Sequence, residues 1–452
     1  MTRLHFASAL LPSGWANDVQ VVITAGAIAE VTPGVAPSAG DERHEIALPG
    51  LASLHSHAFQ RGMAGLAELR GDSTDTFWTW RETMYRFALA MTPDDVVAVA
   101  TLLYVEMLEQ GFTRVGEFHY LHHDRDGSHY ADLGEMAARI AQAAESSGIG
   151  LTLLPSFYAH GSFGGAAAHD GQRRFICSVD QFADLMSASR KAIAALPGAN
   201  IGIAPHSLRA VTPEELAAII PLADGGPVHI HAAEQVKEVE DCLAWSGRRP
   251  VQWLLEHAPV DQRWCLIHAT HTTNEEVAAF AKTGAVAGLC PITEASLGDG
   301  IFPARDFLDA GGAFGVGTDS NVLVGLADEL RQLEYGQRLK HRERNVLSAG
   351  AGRSTGRTLF DHALAGGAQA LAQGTVGLMP GACADIVTLD IDHPSLAGRA
   401  RDAAIDGWIF AAGSGAIDCV WAGGHKVVEA GGHRLRQRAR EGFNTSVRRL
   451  IA

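Results

Sequence analysis

The chain has 452 residues and is 47% hydrophobic, so it can bury a large core and exceeds the usual size of one domain. Its 51 acidic and 36 basic residues give a formal net charge of -15, which argues against nucleic acid or an anionic membrane as the main partner. The six cysteines include no Cys-x-x-Cys pair, and no apolar run is typical of a signal peptide or a membrane span. These features predict a cytoplasmic protein.

Short apolar runs alternate with helical stretches along the middle of the chain. Eight of the runs are predicted strands, at 50–57, 113–120, 149–158, 200–207, 227–234, 263–270, 284–291 and 313–320. Thr92-Pro93-Asp94-Asp95 and Thr212-Pro213-Glu214-Glu215 each combine a capping residue, a first-turn proline and acidic residues, which is typical of a helix start. Strands joined by helices predict parallel pairing, in a closed barrel or in an open doubly wound sheet.

The two ends of the chain have a different pattern. Their β-rich, turn-punctuated segments are residues 18–31, 384–390 and 416–429. We interpret them as one small β-sandwich-like domain that is built from both termini. The predicted domains are therefore a discontinuous β domain, residues 1–48 and 375–452, and a central domain of strands and helices, residues 49–374.

Four side chains at predicted strand ends have the chemistry of a metal site. His55 and His57 are two positions apart, so they point to the same side of a strand. His231 and Asp319 end later strands and add a nitrogen and a carboxylate, and a catalytic zinc typically takes three protein ligands and leaves one position open. Only a closed barrel brings its first and last strands around one mouth. The sequence therefore predicts an α/β fold, a (β/α)8 TIM-like barrel, with His55, His57, His231 and Asp319 as metal ligands.

Four further positions near these strand ends need a choice between functional and structural roles. His229 faces inward like His231 but lies deeper in the barrel, so core filling is its predicted role. His268 ends the sixth strand and is predicted to be catalytic, whereas His271 has entered the loop and could be structural or could support the site. Glu234 follows His231 by three residues, which favours a proton-transfer role over that of a solvated loop carboxylate.

Several motifs resemble the amidohydrolase superfamily in its single-metal deaminase branch. They are Pro49-Gly-Leu-Ala-Ser-Leu-His-Ser-His57, His231-Ala-Ala-Glu234, His268, Thr318-Asp319-Ser320 and Pro380-Gly-Ala-Cys-Ala-Asp-Ile-Val-Thr-Leu389. Further stretches are similar to the formimidoylglutamate deiminase family in particular. These are 55–68, Phe77-Trp-Thr-Trp-Arg81, Glu117-Phe-His-Tyr120, His206-Ser-Leu-Arg-Ala-Val-Thr-Pro213 and Trp245-Ser-Gly-Arg-Arg-Pro250. The resemblance spans nearly the whole chain.

The resemblance implies a reaction and a cofactor. The expected reaction converts N-formimino-L-glutamate to N-formyl-L-glutamate and ammonia in histidine degradation, by attack of a zinc-bound hydroxide. Asp319 is expected to orient that hydroxide, His268 to stabilise the tetrahedral centre and Glu234 to carry a proton to the leaving nitrogen. One divalent metal ion, Zn²⁺ by donor type, is expected, because the fourth strand has no lysine that could bridge a second ion. The expected assembly is a homodimer.

An acidic amino-acid derivative needs positive charge in the site. Planar guanidinium groups match carboxylates bidentately, so Arg209 and Arg81 are the predicted clamps. We interpret Trp78 and Trp80 as packing residues that hold their loop shut. The predicted neutral hydrogen-bonding partners of the substrate are Gln60, Tyr120 and His206.

Three alternatives stay open at this point. A deaminase of the same branch could act on a purine, pterin or guanidino compound, although a planar ring would need stacking aromatics and amide donors more than two arginines. A related hydrolase could release a larger amine or an amide fragment. A catalytically inactive barrel could serve as an interaction protein, but such a loss normally removes metal ligands, and all of them are present.

Overall fold

The computed structural model describes residues 1–70 and 76–452. Its strands are β1 (Thr2–Leu11), β2 (Gly14–Thr24), β3 (Ala27–Thr32), β4 (Glu42–Pro49), β5 (Leu51–Ser56), β6 (Phe112–His119), β7 (Gly150–Phe157), β8 (Asn200–Ile201), β9 (Ala204–Pro205), β10 (Val228–Ala232), β11 (Trp264–His268), β12 (Val286–Leu289), β13 (Ala313–Val316), β14 (Ile386–Leu389), β15 (Ile417–Ala422), β16 (His425–Glu429) and β17 (Gly432–His433).

The α-helices are α1 (Phe77–Ala90), α2 (Pro93–Glu109), α3 (Glu135–Ser147), α4 (Val179–Ile193), α5 (Pro213–Ile219), α6 (Val236–Ser246), α7 (Pro250–His257), α8 (Asn274–Lys282), α9 (Pro291–Leu297), α10 (Ala304–Asp309), α11 (Leu326–His341), α12 (Thr355–Ala370), α13 (Asp402–Gly407) and α14 (Arg436–Ile451). The predicted starts of α2 and α5 are confirmed. Thr92 and Thr212 cap them, and each forms a capping box with the acidic residue three positions later. Within the described residues, no helix is both long enough and apolar enough to cross a membrane.

The strands from β5 to β13 form the predicted closed barrel. One parallel set has the strand order β5-β6-β7-β8, and β9 also pairs with β7. The second parallel set has the order β10-β11-β12-β13. Parallel bridges between Ile203 and Val228 and between Ser56 and Asp319 join the two sets. The first and last strands therefore meet, as the metal candidates required.

The eighth strand is shorter than predicted, and this matters for the site. It ends at Val316, so Asp319 lies in the following loop and not on the strand. A Cβ atom on Gly317 would lie 2.8 Å from the backbone nitrogen of His55. The absence of a side chain there lets the loop approach β5 closely, and this approach places Asp319 beside the histidines of β5.

Strands from both ends of the chain form one sheet with the order β17-β16-β15-β14-β4-β1-β2-β3. β1 and β4 pair in parallel, and β14 pairs antiparallel with β4, so the terminal segments share one ladder. A separate apolar cluster includes Phe6, Val21, Ile386 and Trp421 and covers part of this sheet. The proposed domain boundaries at 48/49 and 374/375 stay a prediction.

The end of α12 closes the interior of the barrel. Ala370 and Leu371 belong to a buried cluster with Leu54 of β5 and Ile267 of β11. The His229 side chain is fully buried, and its Nε2 lies 2.7 Å from the carbonyl oxygen of Ala370. This contact agrees with the core role predicted for His229.

Candidate metal and catalytic site

Three imidazoles and one carboxylate converge at the carboxyl ends of the barrel strands. His231 Nε2 lies 3.2 Å from His55 Nε2 and 3.4 Å from His57 Nε2. Asp319 Oδ1 lies 3.3 Å from His55 Nε2 and 3.4 Å from His57 Nε2. Four tetrahedral ligands that are each about 2.0 to 2.1 Å from zinc are separated by about 3.3 Å. The four predicted ligands therefore have the spacing of a metal donor set, and all are buried.

The three histidines of the donor set are in the protonation state that binds a cation. His57 Nδ1 donates to the carbonyl oxygen of Phe118, and His231 Nδ1 donates to that of His206, both at 2.9 Å. The Nε2 lone pairs of these rings therefore point into the centre. Burial lowers the pKa of His55 to about 3 and also lowers the pKa of His57 and that of His231, so the rings are neutral. Neutral imidazole is the form that binds a metal.

Asp319 supplies the negative charge of this centre. Burial raises the pKa of its carboxyl, but the hydrogen bond with His55 and the surrounding histidines, His268 among them, outweigh burial, and the net pKa lies below the usual range. The carboxylate is therefore ionised at neutral pH. Asp319 has φ +44, and the neighbouring strand ends have Ala233 at φ +52 and His268 at φ +66. Such left-handed non-glycine positions are uncommon, and here they cluster at strand ends that carry the candidate site residues.

Glu234 and His268 lie within ion-pair distance of each other beside the donor set. His268 Nε2 lies 3.8 Å from Glu234 Oε1 and 3.7 Å from Asp319 Oδ2. Burial raises the pKa of Glu234 to about 7. Burial lowers the pKa of His268, but the charge of Glu234 and the hydrogen bond to Glu294 outweigh burial and raise the net pKa. A carboxyl group with a pKa near neutrality can both accept and donate a proton at physiological pH.

A cavity over this centre contains most of the predicted site residues. It is lined by His57, Gln60, Phe77, Trp80, Arg81, Met84, Tyr85, Tyr120, Tyr158, Phe175, His206, Arg209, His231, Glu234, His268, Leu297 and Asp319. Gln60 Nε2 donates to Tyr120 Oη at 2.8 Å, and Gln60 Oε1 is buried without a hydrogen-bond partner. His55 is fully buried and is not among the lining residues, and neither is His271. The role of His271 stays open.

Two arginines bring positive charge to the cavity. The Arg209 guanidinium lies 5.6 Å from the ring centre of Trp78, and the Arg81 guanidinium lies 4.6 Å from the same ring centre. Arg209 is 6% exposed, and its Nη2 lies 4.0 Å from Glu234 Oε2. Trp78 therefore packs against both guanidinium groups, in agreement with the packing role predicted for it. Trp80, for which packing was also predicted, lies on the cavity wall.

Two kinds of residue near the centre were not predicted from the sequence. Glu294 lies on α9, and its Oε1 accepts the His268 Nδ1 proton at 3.3 Å and the backbone N–H of Cys290 at 2.9 Å. The signal that could have found Glu294 is an acidic residue in the first turn of a helix that directly follows a barrel strand. Tyr85 and Tyr158 also line the cavity, and no spacing in the sequence distinguishes them from core tyrosines.

A closed barrel with three imidazoles and a carboxylate at its strand ends defines the amidohydrolase class. The sequence model of the Amidohydrolase family matches residues 46–427, and that of Formimidoylglutamate deiminase HutF, N-terminal domain, matches residues 1–45. A formimidoylglutamate deiminase from Pseudomonas aeruginosa is 51% identical over 445 residues, which cover 98% of each protein. The chain therefore belongs to the amidohydrolase family and, within it, to the formimidoylglutamate deiminase family.

Solved structures agree with this assignment. A crystal structure of an amidohydrolase from Brucella melitensis superposes with a TM-score of 0.97 and 58% identity, and the match covers 100% of both chains. The atrazine chlorohydrolase TrzN from Arthrobacter aurescens TC1, complexed with zinc, gives a TM-score of 0.82 at 22% identity, covering 99% of this chain and 100% of that one. The second likeness shows that the fold is shared.

Proposed function

We propose that this enzyme hydrolyses N-formimino-L-glutamate to N-formyl-L-glutamate and ammonia, as a step of histidine degradation. The observation that carries the proposal is the placement of Arg209, a buried cation 4.0 Å from Glu234, in the cavity that His57, His231 and Asp319 of the donor set also line. A dianionic substrate can thereby be bound beside the reacting centre. The name of the Pseudomonas aeruginosa relative supports the same substrate.

The donor set fits one divalent cation, and we infer that Zn²⁺ is its occupant. Nitrogen-rich sites with one carboxylate and near-tetrahedral spacing favour zinc among the common biological cations. His55, His57, His231 and Asp319 would hold it. When bound, it would supply Lewis acidity that favours deprotonation of an attacking water.

The chain's own side chains then account for the proton transfers. Asp319 Oδ2 would accept a hydrogen bond from the attacking water, because Oδ1 faces the histidines. His268, held by Glu294, would donate a hydrogen bond from Nε2 to the tetrahedral centre. Glu234 would receive one proton of the attacking water and deliver it to the terminal imino nitrogen. The proton left on the new hydroxyl group would then pass to the same nitrogen, so that the C–N bond breaks, ammonia leaves and the formyl C=O stays on the substrate.

The remaining residues would select the substrate. Arg209 and Arg81 would bind the two glutamate carboxylates as planar forks. Their contacts with Trp78 restrict both guanidinium groups and so reduce the entropy lost on binding. Gln60, Tyr120 and His206 also line the cavity and would hydrogen-bond the uncharged polar atoms of the substrate. The homodimer and the cytoplasmic location predicted from the sequence stay predictions.

An ammonia-release assay over a panel of compounds tests the proposal. Purified enzyme is offered N-formimino-L-glutamate, an uncharged formimino compound, guanidino acids and purines at equal concentrations. We expect the largest kcat/KM for N-formimino-L-glutamate and a formyl product in equal amount with ammonia. Faster turnover of a purine or a guanidino compound would reject the substrate, and release of a larger amine would reject the reaction.

A further inference from the structure

Cys290 is a buried thiol beside the centre that the proposed reaction does not use. It follows β12, is fully buried and does not line the cavity. Its Sγ, a ring nitrogen of His268 and a carboxylate oxygen of Asp319 all lie within 4.8 Å of one another. Thiolate, imidazole and carboxylate are the three donor types that zinc takes in proteins. These side chains therefore form a second donor group next to the first.

His268 is held as a ligating imidazole is usually held. Its Nδ1 lies 3.3 Å from Glu294 Oε1, and the backbone N–H of Cys290 donates to the same oxygen. Histidines that bind metals almost always donate their second ring N–H to a carboxylate or a carbonyl in this way. The other nitrogen, Nε2, is buried and has no hydrogen-bond partner among the described residues. This nitrogen lies 3.7 Å from Asp319 Oδ2 and can bind a cation once it has lost its proton.

The two carboxylate oxygens of Asp319 face different donor groups. Oδ1 lies 3.3 Å from His55 Nε2 and 3.4 Å from His57 Nε2, whereas Oδ2 faces His268 Nε2 at 3.7 Å. One carboxylate can therefore bridge two cations, with one oxygen directed to each. Glu234 and Glu294 add further negative charge around His268.

We propose that His268, Cys290 and Asp319 form a second divalent-cation site, which binds zinc or cadmium and inhibits the enzyme. Binding displaces the thiol proton, and the ring proton of His268 Nε2 where present, to solvent. Inhibition follows because the cation takes His268 and Asp319 away from the roles given to them above. The inhibitory effect rests on the proposed function, whereas the binding itself does not.

This second site should bind more weakly than the first. It offers three protein ligands where the first offers four, and it must lose at least one proton before it binds. Its ion should therefore be removed by dialysis that leaves the first ion in place. A thiolate ligand also makes the second site prefer soft cations, because sulfur donors select them.

Cadmium titration tests the proposal, because cadmium bound to a thiolate has an ultraviolet charge-transfer band and cadmium on nitrogen and oxygen lacks it. The titration uses the zinc-loaded enzyme with Cys383→Ser, since Cys383 is the exposed cysteine. We expect the band to saturate at one equivalent while the rate of ammonia release falls in parallel. Cys290→Ala should remove the band. It should also weaken inhibition at least about 10- to 100-fold, because changing a residue that only supports a metal ligand already weakens metal binding by that factor.

Cys265→Ala is the matched control, because Cys265 is also a fully buried thiol of the barrel but lies outside the donor group. It should keep both the band and the inhibition. The proposal is overturned if no band forms, or if the band survives Cys290→Ala. A band without inhibition would reject the inhibitory role. An enzyme that is inactive on N-formimino-L-glutamate would reject the proposed function and leave the band as an independent measure of binding.

Discussion

Arg209 Nη2 lies 4.0 Å from Glu234 Oε2, so the proposed carboxylate clamp and the proposed proton carrier are neighbours in one cavity. Both side chains are almost fully buried. Charge pairs of this kind are stronger in a closed site than in water. A bound substrate carboxylate would share the Arg209 guanidinium with Glu234, which links substrate binding to proton transfer.

The first prediction concerns this clamp. Arg209→Met should lower kcat/KM for N-formimino-L-glutamate by two to three orders of magnitude, about 3 to 4 kcal/mol, because a charged hydrogen-bonded pair is lost in a closed site. Steady-state kinetics would measure it, and an uncharged formimino compound should lose far less. Arg190→Met is the control, since Arg190 is half-buried, donates to Leu222 and does not line the cavity. An equal loss for both substrates would make Arg209 a structural residue.

The second prediction separates chemistry from binding at Glu234. Glu234→Gln should keep the metal and bind substrate while kcat falls about 10² to 10⁴-fold, the usual contribution of general acid-base catalysis. Metal analysis and kinetics would check this. Glu334→Gln provides a control, because Glu334 is a buried carboxylate that accepts backbone N–H groups outside the cavity. Turnover within a few-fold of the parent would remove Glu234 from the mechanism.

The third prediction is the pH dependence that Glu234 imposes. Burial raises its pKa to about 7, and the proton-accepting step needs its carboxylate form. The rate should therefore fall as the pH drops below about 7 and level off above it. Glu234→Gln has no carboxyl group to titrate, so its residual rate should lose this acid limb. A pH profile of kcat for both enzymes measures the difference, and an unchanged acid limb would assign it to another group.

The fourth prediction concerns the first metal site. Metal analysis after dialysis should find about one tightly held ion per chain, with zinc favoured by the donor types. His57→Ala should lose both the ion and the activity, because it removes one of four converging ligands. His229→Gln should keep the ion, since His229 contacts Ala370 and not the donor set. Two ions retained after dialysis would contradict the single tight site.

The fifth prediction concerns packing of the barrel. A Cβ atom on Gly366 of α12 would lie 2.0 Å from the carbonyl oxygen of Phe314 on β13. Gly366→Ala should therefore destabilise the fold by about 1 to 3 kcal/mol, the usual cost of overpacking. Gly374→Ala should be close to neutral, because nothing lies within 4 Å of its added Cβ. Midpoints of chemical unfolding would compare the two, and equal midpoints would show that α12 can shift.

Much of the fold and of the donor set could be predicted from local pattern. The spacing of two between His55 and His57 places both on one side of a strand, and the Thr-Pro starts of α2 and α5 determine where those helices begin. The eight apolar runs predicted the barrel strands because they are short and alternate with helical stretches. These features depend on neighbours in the chain, so the sequence by itself determined them.

Contacts between distant segments were decided only by the tertiary structure. Glu294 reaches His268 because β11 and β12 are neighbouring strands and α9 begins directly after β12, and no spacing between the two residues predicts that contact. Asp319 was expected on a strand, but the close approach at Gly317 places it in a loop with one oxygen toward each donor group. Burial raises the pKa of Glu234, and the charged groups that also act on it, His268, Arg209 and Asp319, come from segments that are distant in the chain. Periodicity determines which face a side chain occupies, and only the packing of elements determines what that face meets.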